Sequence, residues 1–90
     1  MMKEKTKTDK NTKKKEEKNF DLTLFNDDIH SFDYVIESLI DACRMDSIQA
    51  EQCTYIVHYK GKCNIKRGTY GELRPIKDRL TERELICRIN

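Results

Sequence analysis

The chain has 90 residues, of which 38% are charged, and its mean hydropathy is −0.85. This length allows one small domain with a core of modest size. No apolar run approaches the roughly 18 residues of a membrane span, and none resembles a signal peptide. The sequence therefore predicts a cytoplasmic protein that does not engage a membrane.

The net charge of +2 divides unevenly along the chain. Residues 1–19 hold eight lysines, four acidic residues and no apolar residue beyond two leading methionines, whereas residues 20–90 hold ten basic and twelve acidic residues. The first segment buries too little apolar surface to offset the entropy of ordering it, so we expect a disordered basic arm over 1–19 and one domain over 20–90. The arm has no arginine or aromatic residue, which argues against a nucleic acid partner.

The first predicted element is a strand over 20–25, because apolar residues alternate there. Ser31 is then a suitable N-cap for a helix. The apolar positions of this helix recur every three or four residues, which indicates one buried face formed by Phe32, Val35, Ile36, Leu39, Ile40 and Cys43.

Start and stop signals define a second helix. It begins at Asp46 or Ser47, runs to about Tyr59 and is ended by Gly61 in the left-handed conformation. A short alternating stretch over 62–66 then predicts a second strand.

The last third of the chain contains one clear helix and one ambiguous segment. Thr69 and Glu72 form a capping box for the helix, while Pro75, six positions in, predicts either a kink or a later start. Residues 81–84 match another capping box, whereas the alternation over 85–89 is typical of a strand. We favour the strand, because a sheet of only two separated strands is marginally stable.

These elements predict an α+β fold, a small β-α-α-β-α-β sandwich with a three-stranded antiparallel sheet and helices packed on one face. The four cysteines contain no CxxC pair and no secretory signal supports disulfides, so we expect buried reduced thiols and neither a metal nor a cofactor. The sequence contains no Gly-rich phosphate loop, nucleophile elbow or HExxH motif, and it does not predict an enzyme.

The most informative motif is the polar step at the exit of the first strand. Asn26, Asp27 and Asp28 follow the strand directly, and His58 lies on the second helix. Two carboxylates, an amide and an imidazole beside an apolar helix face suit a cationic amine that carries an apolar group. Each residue also has a plain structural role, since Asn and Asp form turns at strand exits and a late helical histidine can bind terminal carbonyls.

Three short segments, considered with the distances between them, indicate a family. They are residues 24–28 (LFNDD), 32–36 (FDYVI) and 57–62 (VHYKGK). Together they resemble the ClpS adaptor family of the Clp protease, over roughly residues 20–90. The resemblance implies a monomeric, non-enzymatic adaptor. Such an adaptor binds proteins that begin with a free bulky hydrophobic or aromatic residue, the N-degron of the N-end rule, and delivers them to a Clp AAA+ ATPase of the ClpA or ClpC type. In this family a disordered N-terminal arm is needed for delivery, which would give residues 1–19 a role.

The resemblance also implies which side chains form the site. The α-amino group of the bound protein would be held by Asn26, Asp27 and His58, with Asp28 left outside as a turn former. The hydrophobic pocket for the first side chain would be lined by Leu24, His30, Phe32, Val35, Thr54, Val57 and Leu85.

The chain departs from the commoner family pattern around this pocket. Phe32 stands where many members have methionine, and Ser31 where many have proline. His30 replaces a small hydroxyl residue, and Thr54 replaces a bulky apolar one. We expect Thr54 to widen the pocket and Phe32 to exclude side chains branched near the amine. The predicted preference is for N-terminal Phe, Tyr, Leu and Trp over Val and Ile.

Two other classes of function remain open from the sequence. A ribosomal-stalk-like or RNA-associated module would bind RNA with a steep salt dependence, through a basic edge formed by Lys60, Lys62, Lys66 and Arg67. A small enzyme or metal protein would instead use His30, His58 and cysteines, and would retain metal on purification.

Overall fold

The computed structural model describes residues 18–90. The elements are strand β1 (Phe20–Phe25), helix α1 (Phe32–Cys43), helix α2 (Ser47–Lys60), strand β2 (Lys62–Gly68), helix α3 (Tyr70–Glu82) and strand β3 (Ile86–Ile89). The predicted α+β fold and its element order are confirmed. The arm predicted over 1–19 lies almost entirely outside the described residues.

The sheet has three strands in the order β2-β1-β3, and both pairings are antiparallel. The central strand β1 follows the sequence pattern, since Leu22 and Leu24 are almost fully buried. Leu24 lies opposite Cys63 on β2 and Cys87 on β3. The strands β2 and β3 form the two edges of the sheet, and their outward main-chain groups are unpaired within it.

The core lies between one face of the sheet and the three helices. Burial of apolar side chains is the main favourable term for a domain of this size. The buried apolar residues are Leu22, Leu24, Leu39, Ala42, Met45, Ala50, Cys53, Val57, Ile65, Leu73, Ile76, Leu80 and Leu85.

The helices begin where the capping signals predict. Ser31, Asp46 and Thr69 each accept a hydrogen bond from a backbone N–H in the first turn of α1, α2 and α3, and the Thr69–Glu72 capping box is complete. Pro75 lies inside α3, so the alternative of a later helix start is wrong. The capping box fixes the start because it satisfies two backbone N–H groups that would otherwise lack partners.

The segment after α3 forms a strand, as the alternation predicted. The helix continues to Glu82, so the second capping match does not begin a new helix. Glu84 then adopts a left-handed conformation with φ 67°, and β3 pairs with β1 from Ile86 onward. Leu85, just before β3, is buried in the core.

The four cysteines are free thiols, but only Cys53 is buried and the other three are partly exposed. Burial raises the pKa of Cys43 to about 11. Burial, with a contribution from neighbouring Cys53, raises the pKa of Cys63 to about 11. These thiols are therefore protonated at neutral pH and are poor nucleophiles.

Within residues 18–90, no group of three His, Cys, Asp or Glu side chains is placed to hold a metal ion. No helix in this part of the chain is long and apolar enough to cross a bilayer.

Candidate functional site

A cavity of about 250 Å³ opens between the loop after β1 and the helices α1 and α2. It gathers side chains from three separate segments of the sequence. Its lining consists of Asn26, Asp27, Asp28, His30, Ser31, Phe32, Val35, Thr54, Val57 and His58. The structure thus brings together all predicted site residues except Leu24 and Leu85.

Leu24 and Leu85 line a second, much smaller cavity of about 20 Å³. The two cavities share the walls formed by Asn26, Asp27, His30, Val35 and Val57. The smaller cavity has room for about one water molecule. The larger cavity is therefore the space that could accept a side chain, and the small one lies beside it toward the core.

The carboxylate of Asp27 is fixed by the loop that contains it. Its Oδ1 atom accepts hydrogen bonds from the backbone N–H groups of Ile29 and His30, both at 2.8 Å. Its Oδ2 atom accepts one from His30 Nδ1 at 2.9 Å. Burial would raise the pKa of Asp27, but the hydrogen bonds from the His30 ring and from the two backbone N–H groups outweigh it and lower the pKa. Asp27 is ionised at neutral pH, and it supplies a negative charge to the wall of the cavity.

The ring of His30 is held from both sides. It stacks on the ring of Tyr34 with a centroid distance of 4.8 Å and an interplanar angle of 13°. The Tyr34 hydroxyl donates a hydrogen bond to the backbone carbonyl of Arg83 at 3.0 Å. A contact across 49 residues of sequence thus anchors the group that binds Asp27.

A main-chain hydrogen bond joins the Asn26 loop to the end of α2. The N–H of Asn26 donates to the carbonyl of Gly61 at 2.9 Å, and the N–H of Gly61 donates to the carbonyl of Val57 at 2.8 Å. Gly61 can make this link because it adopts the left-handed conformation, with φ 90°. The predicted helix stop at Gly61 is therefore confirmed. It also brings His58 and Asn26 to the same cavity.

Replacing Gly61 by alanine tests this link. No atom would clash with the new methyl group, so the cost is backbone strain at positive φ, about 1–2 kcal/mol of unfolding free energy. Urea denaturation of Gly61→Ala measures it. Gly71→Ala is the matched control, because Gly71 lies in the first turn of α3, also with open space around it. The control variant is expected to be neutral or up to about 1 kcal/mol more stable, and equal stabilities for the two variants would contradict the assignment.

The apolar side of the cavity is built by α1 and α2. Val57 and Thr54 are buried, and Phe32 is partly exposed at the mouth. The Phe32 ring meets Tyr55 edge-on at a centroid distance of 4.9 Å and His58 at 6.4 Å. These edge-to-face contacts restrain Phe32 in one position beside the opening.

The hydroxyl of Thr54 is bonded within its own helix. It donates a hydrogen bond to the carbonyl of Ala50 at 2.8 Å, one turn earlier in α2. Its proton is therefore already used, and the oxygen can offer a ligand only an acceptor.

Four residues that the sequence did not assign to the site also shape it. Asp28 and Ser31 line the cavity, Tyr34 supports His30, and Tyr55 packs on Phe32. Tyr55 could have been identified, since it lies three positions before His58 and shares its helix face. Tyr34 could not, because its role depends on distant Arg83.

An ionised carboxylate, an amide and an imidazole therefore surround one end of a cavity with an apolar wall. These groups can bind a cationic amine whose substituent fills the apolar part. The fold and this site define a small binding module. The sequence of residues 15–87 matches the family described as ATP-dependent Clp protease adaptor protein ClpS, and the chain belongs to this family. The family is one of adaptors and not of known enzymes.

The fold is also similar to a solved structure, that of Agrobacterium tumefaciens ClpS2 bound to L-phenylalaninamide. The similarity has a TM-score of 0.75 with 17% sequence identity, and it covers 83% of this chain and 98% of that chain. At this level of identity it shows a common fold. No curated protein matches the sequence.

Proposed function

We infer that this protein is a cytoplasmic, monomeric adaptor that recognises proteins by a free, bulky hydrophobic or aromatic first residue. It delivers them to a Clp AAA+ ATPase of the ClpA or ClpC type. The observation that carries this proposal is the oriented Asp27 carboxylate at the wall of a cavity with an apolar side. Two comparisons support it. The chain belongs to the ClpS family, and it shares its fold with an adaptor solved with L-phenylalaninamide, which is a free amine with an aromatic side chain.

The polar end of the cavity suits an α-ammonium group, which carries a positive charge and three donors. Asp27 offers charge and an acceptor, Asn26 an amide oxygen, and the imidazole of His58 a ring nitrogen. Hydrogen bonds to charged groups contribute roughly 1.5–3 kcal/mol each. Acetylation removes the charge and two of the donors, so a blocked terminus would leave Asp27 without a cationic partner.

The apolar end suits the side chain of the first residue. Burying such a side chain contributes roughly 1.5–3 kcal/mol. Phe32 stands at the mouth, restrained by Tyr55 and His58. We expect it to exclude side chains that branch next to the amine, and hence to favour Phe, Tyr, Leu and Trp over Val and Ile.

Fluorescence anisotropy with three peptides that differ only at the first residue tests the proposal. The free Phe peptide is expected to bind about 10–150-fold more tightly than the acetylated Phe peptide. This ratio corresponds to the loss of one charge-assisted hydrogen bond on acetylation. The free Ile peptide is expected to bind at least about tenfold more weakly than the free Phe peptide, because its side chain cannot enter fully. Equal affinity for free and acetylated Phe would rule out amine recognition. Equal affinity for the free Phe and Ile peptides would rule out the selecting role of Phe32 and would leave amine recognition untouched.

A further inference from the structure

We propose that His30 is a positioning residue for Asp27, and that it thereby sets how strongly the site distinguishes a free α-amino group from a blocked one. The inference rests on the proposed function, because it concerns the same cavity. It assigns His30 a polar role beside that of lining the pocket.

The hydrogen bonds of Asp27 show why a positioning group matters. An ionised carboxylate has about four acceptor positions, two on each oxygen. The backbone N–H groups of Ile29 and His30 occupy Oδ1, and His30 Nδ1 occupies one position on Oδ2. A single acceptor position remains, on Oδ2. Asp27 lines the cavity, and its side chain is only 12% exposed to bulk solvent. We therefore expect a ligand in the cavity to use this remaining position.

The His30 ring can hold this geometry because it is itself fixed. Its side chain is 12% exposed, and it stacks on Tyr34. The Tyr34 hydroxyl in turn donates to the carbonyl of Arg83 just before β3. A ring nitrogen that faces a carboxylate at 2.9 Å donates to it, so Nδ1 carries the proton.

The charged groups around the cavity also matter for an ammonium ligand. The Nδ1–H group of His30 orients the Asp27 carboxylate in place of a lysine or arginine, whose permanent charge would pair with it. The other ionisable groups around the cavity are Asp28 on the same loop and His58 on α2, and no lysine or arginine lines the cavity.

A matched pair of variants separates the donor from the shape of the side chain. The side chains introduced by His30→Leu and His30→Asn share the same branched shape, but only asparagine places an N–H donor near the position of Nδ1. For each full-length protein, the affinity for a free Phe peptide is divided by the affinity for the same peptide acetylated. This ratio is expected to fall about tenfold in His30→Leu, equivalent to 1.4 kcal/mol and to one hydrogen bond of ordinary strength. It is expected to stay within about threefold of wild type in His30→Asn.

The ratio answers the objection that a variant loses binding only because its pocket or fold is damaged. Such damage lowers both affinities and leaves the ratio unchanged, so an unchanged ratio in His30→Leu would overturn the proposal. A ratio that falls equally in both variants would also overturn it, because the donor would then not be the cause. If the wild-type protein showed no preference for the free peptide, that result would instead contradict the proposed function.

A measurement on the unaltered protein covers the case in which the variants do not fold. Nitrogen-15 NMR of the His30 ring at neutral pH is expected to show a protonated Nδ1. A neutral ring protonated only at Nε2 would overturn the proposal, since Nδ1 could then not donate to Asp27.

Discussion

Asp27→Lys is expected to abolish binding of a free Phe-starting peptide, and Asp27→Asn is expected to weaken it by about 10–150-fold. The asparagine variant is the more informative, because its side-chain oxygen can still accept from the backbone N–H groups of Ile29 and His30. The loop then keeps its shape while the charge is removed. Lysine adds a positive charge that repels the ammonium group directly. Anisotropy titrations with free and acetylated peptides measure both effects.

Asp28→Asn is the matched control for this prediction. Asp28 is the next residue in the same loop and also lines the cavity, but its side chain is exposed and no hydrogen bond orients it among the described residues. Asp28→Asn and Asp27→Asn change the net charge by the same amount, so a general electrostatic effect would weaken binding in both variants. The expected loss is less than about threefold, in the range of a partly screened surface charge. An Asp27→Lys protein that still binds the free peptide as tightly as wild type would refute amine recognition at this site.

Deleting residues 2–18 is expected to abolish delivery to the ATPase and to leave peptide affinity unchanged. Among residues 18–90, the cavity is lined by side chains from Asn26 to His58, and these are kept in the deletion variant. Their composition, with lysines and acidic residues and almost no apolar residue, predicts an arm that the ATPase can grip while the folded domain stays outside. The two readouts are the degradation rate of a fluorescent protein that begins with Phe and the anisotropy titration of a Phe peptide.

The control for the arm is its replacement by a Gly/Ser segment of equal length. If the arm acts only as a polypeptide long enough to be gripped, the replacement restores delivery. If the arm is recognised through its lysines, the replacement remains inactive. Degradation at the full rate without any arm would show that residues 2–18 serve another purpose.

Local signals predicted most of the fold, because each helix carries its own start. Ser31, Asp46 and Thr69 cap the three helices, and Gly61 ends α2. Pro75 predicted a kink in α3 or a later start, but the capping box before it determined where the helix begins. A proline in an exposed part of a helix removes one hydrogen bond, and the carbonyl it leaves unpaired can be solvated.

The sequence predicted the members of the candidate site better than their arrangement. It named Leu24 and Leu85 together with the other pocket residues, but these two line a separate small cavity. It expected Thr54 to widen the pocket and did not foresee that its hydroxyl donates to the carbonyl of Ala50. It placed His30 among apolar neighbours and did not foresee the bond to Asp27. These details depend on rotamers and on contacts between distant segments, and no spacing rule encodes them.

The exposed edge of the sheet has a consequence for a protein that handles other polypeptides. An unpaired strand is a template on which an extended chain can add itself, and a partly unfolded cargo would offer such a chain. The edge strand β2 has exposed Lys62, Lys66 and Arg67. Charged side chains of this kind discourage main-chain pairing from outside. On the proposed function, these charges would let the domain hold the first residue of a polypeptide and leave the rest of it free to be pulled away.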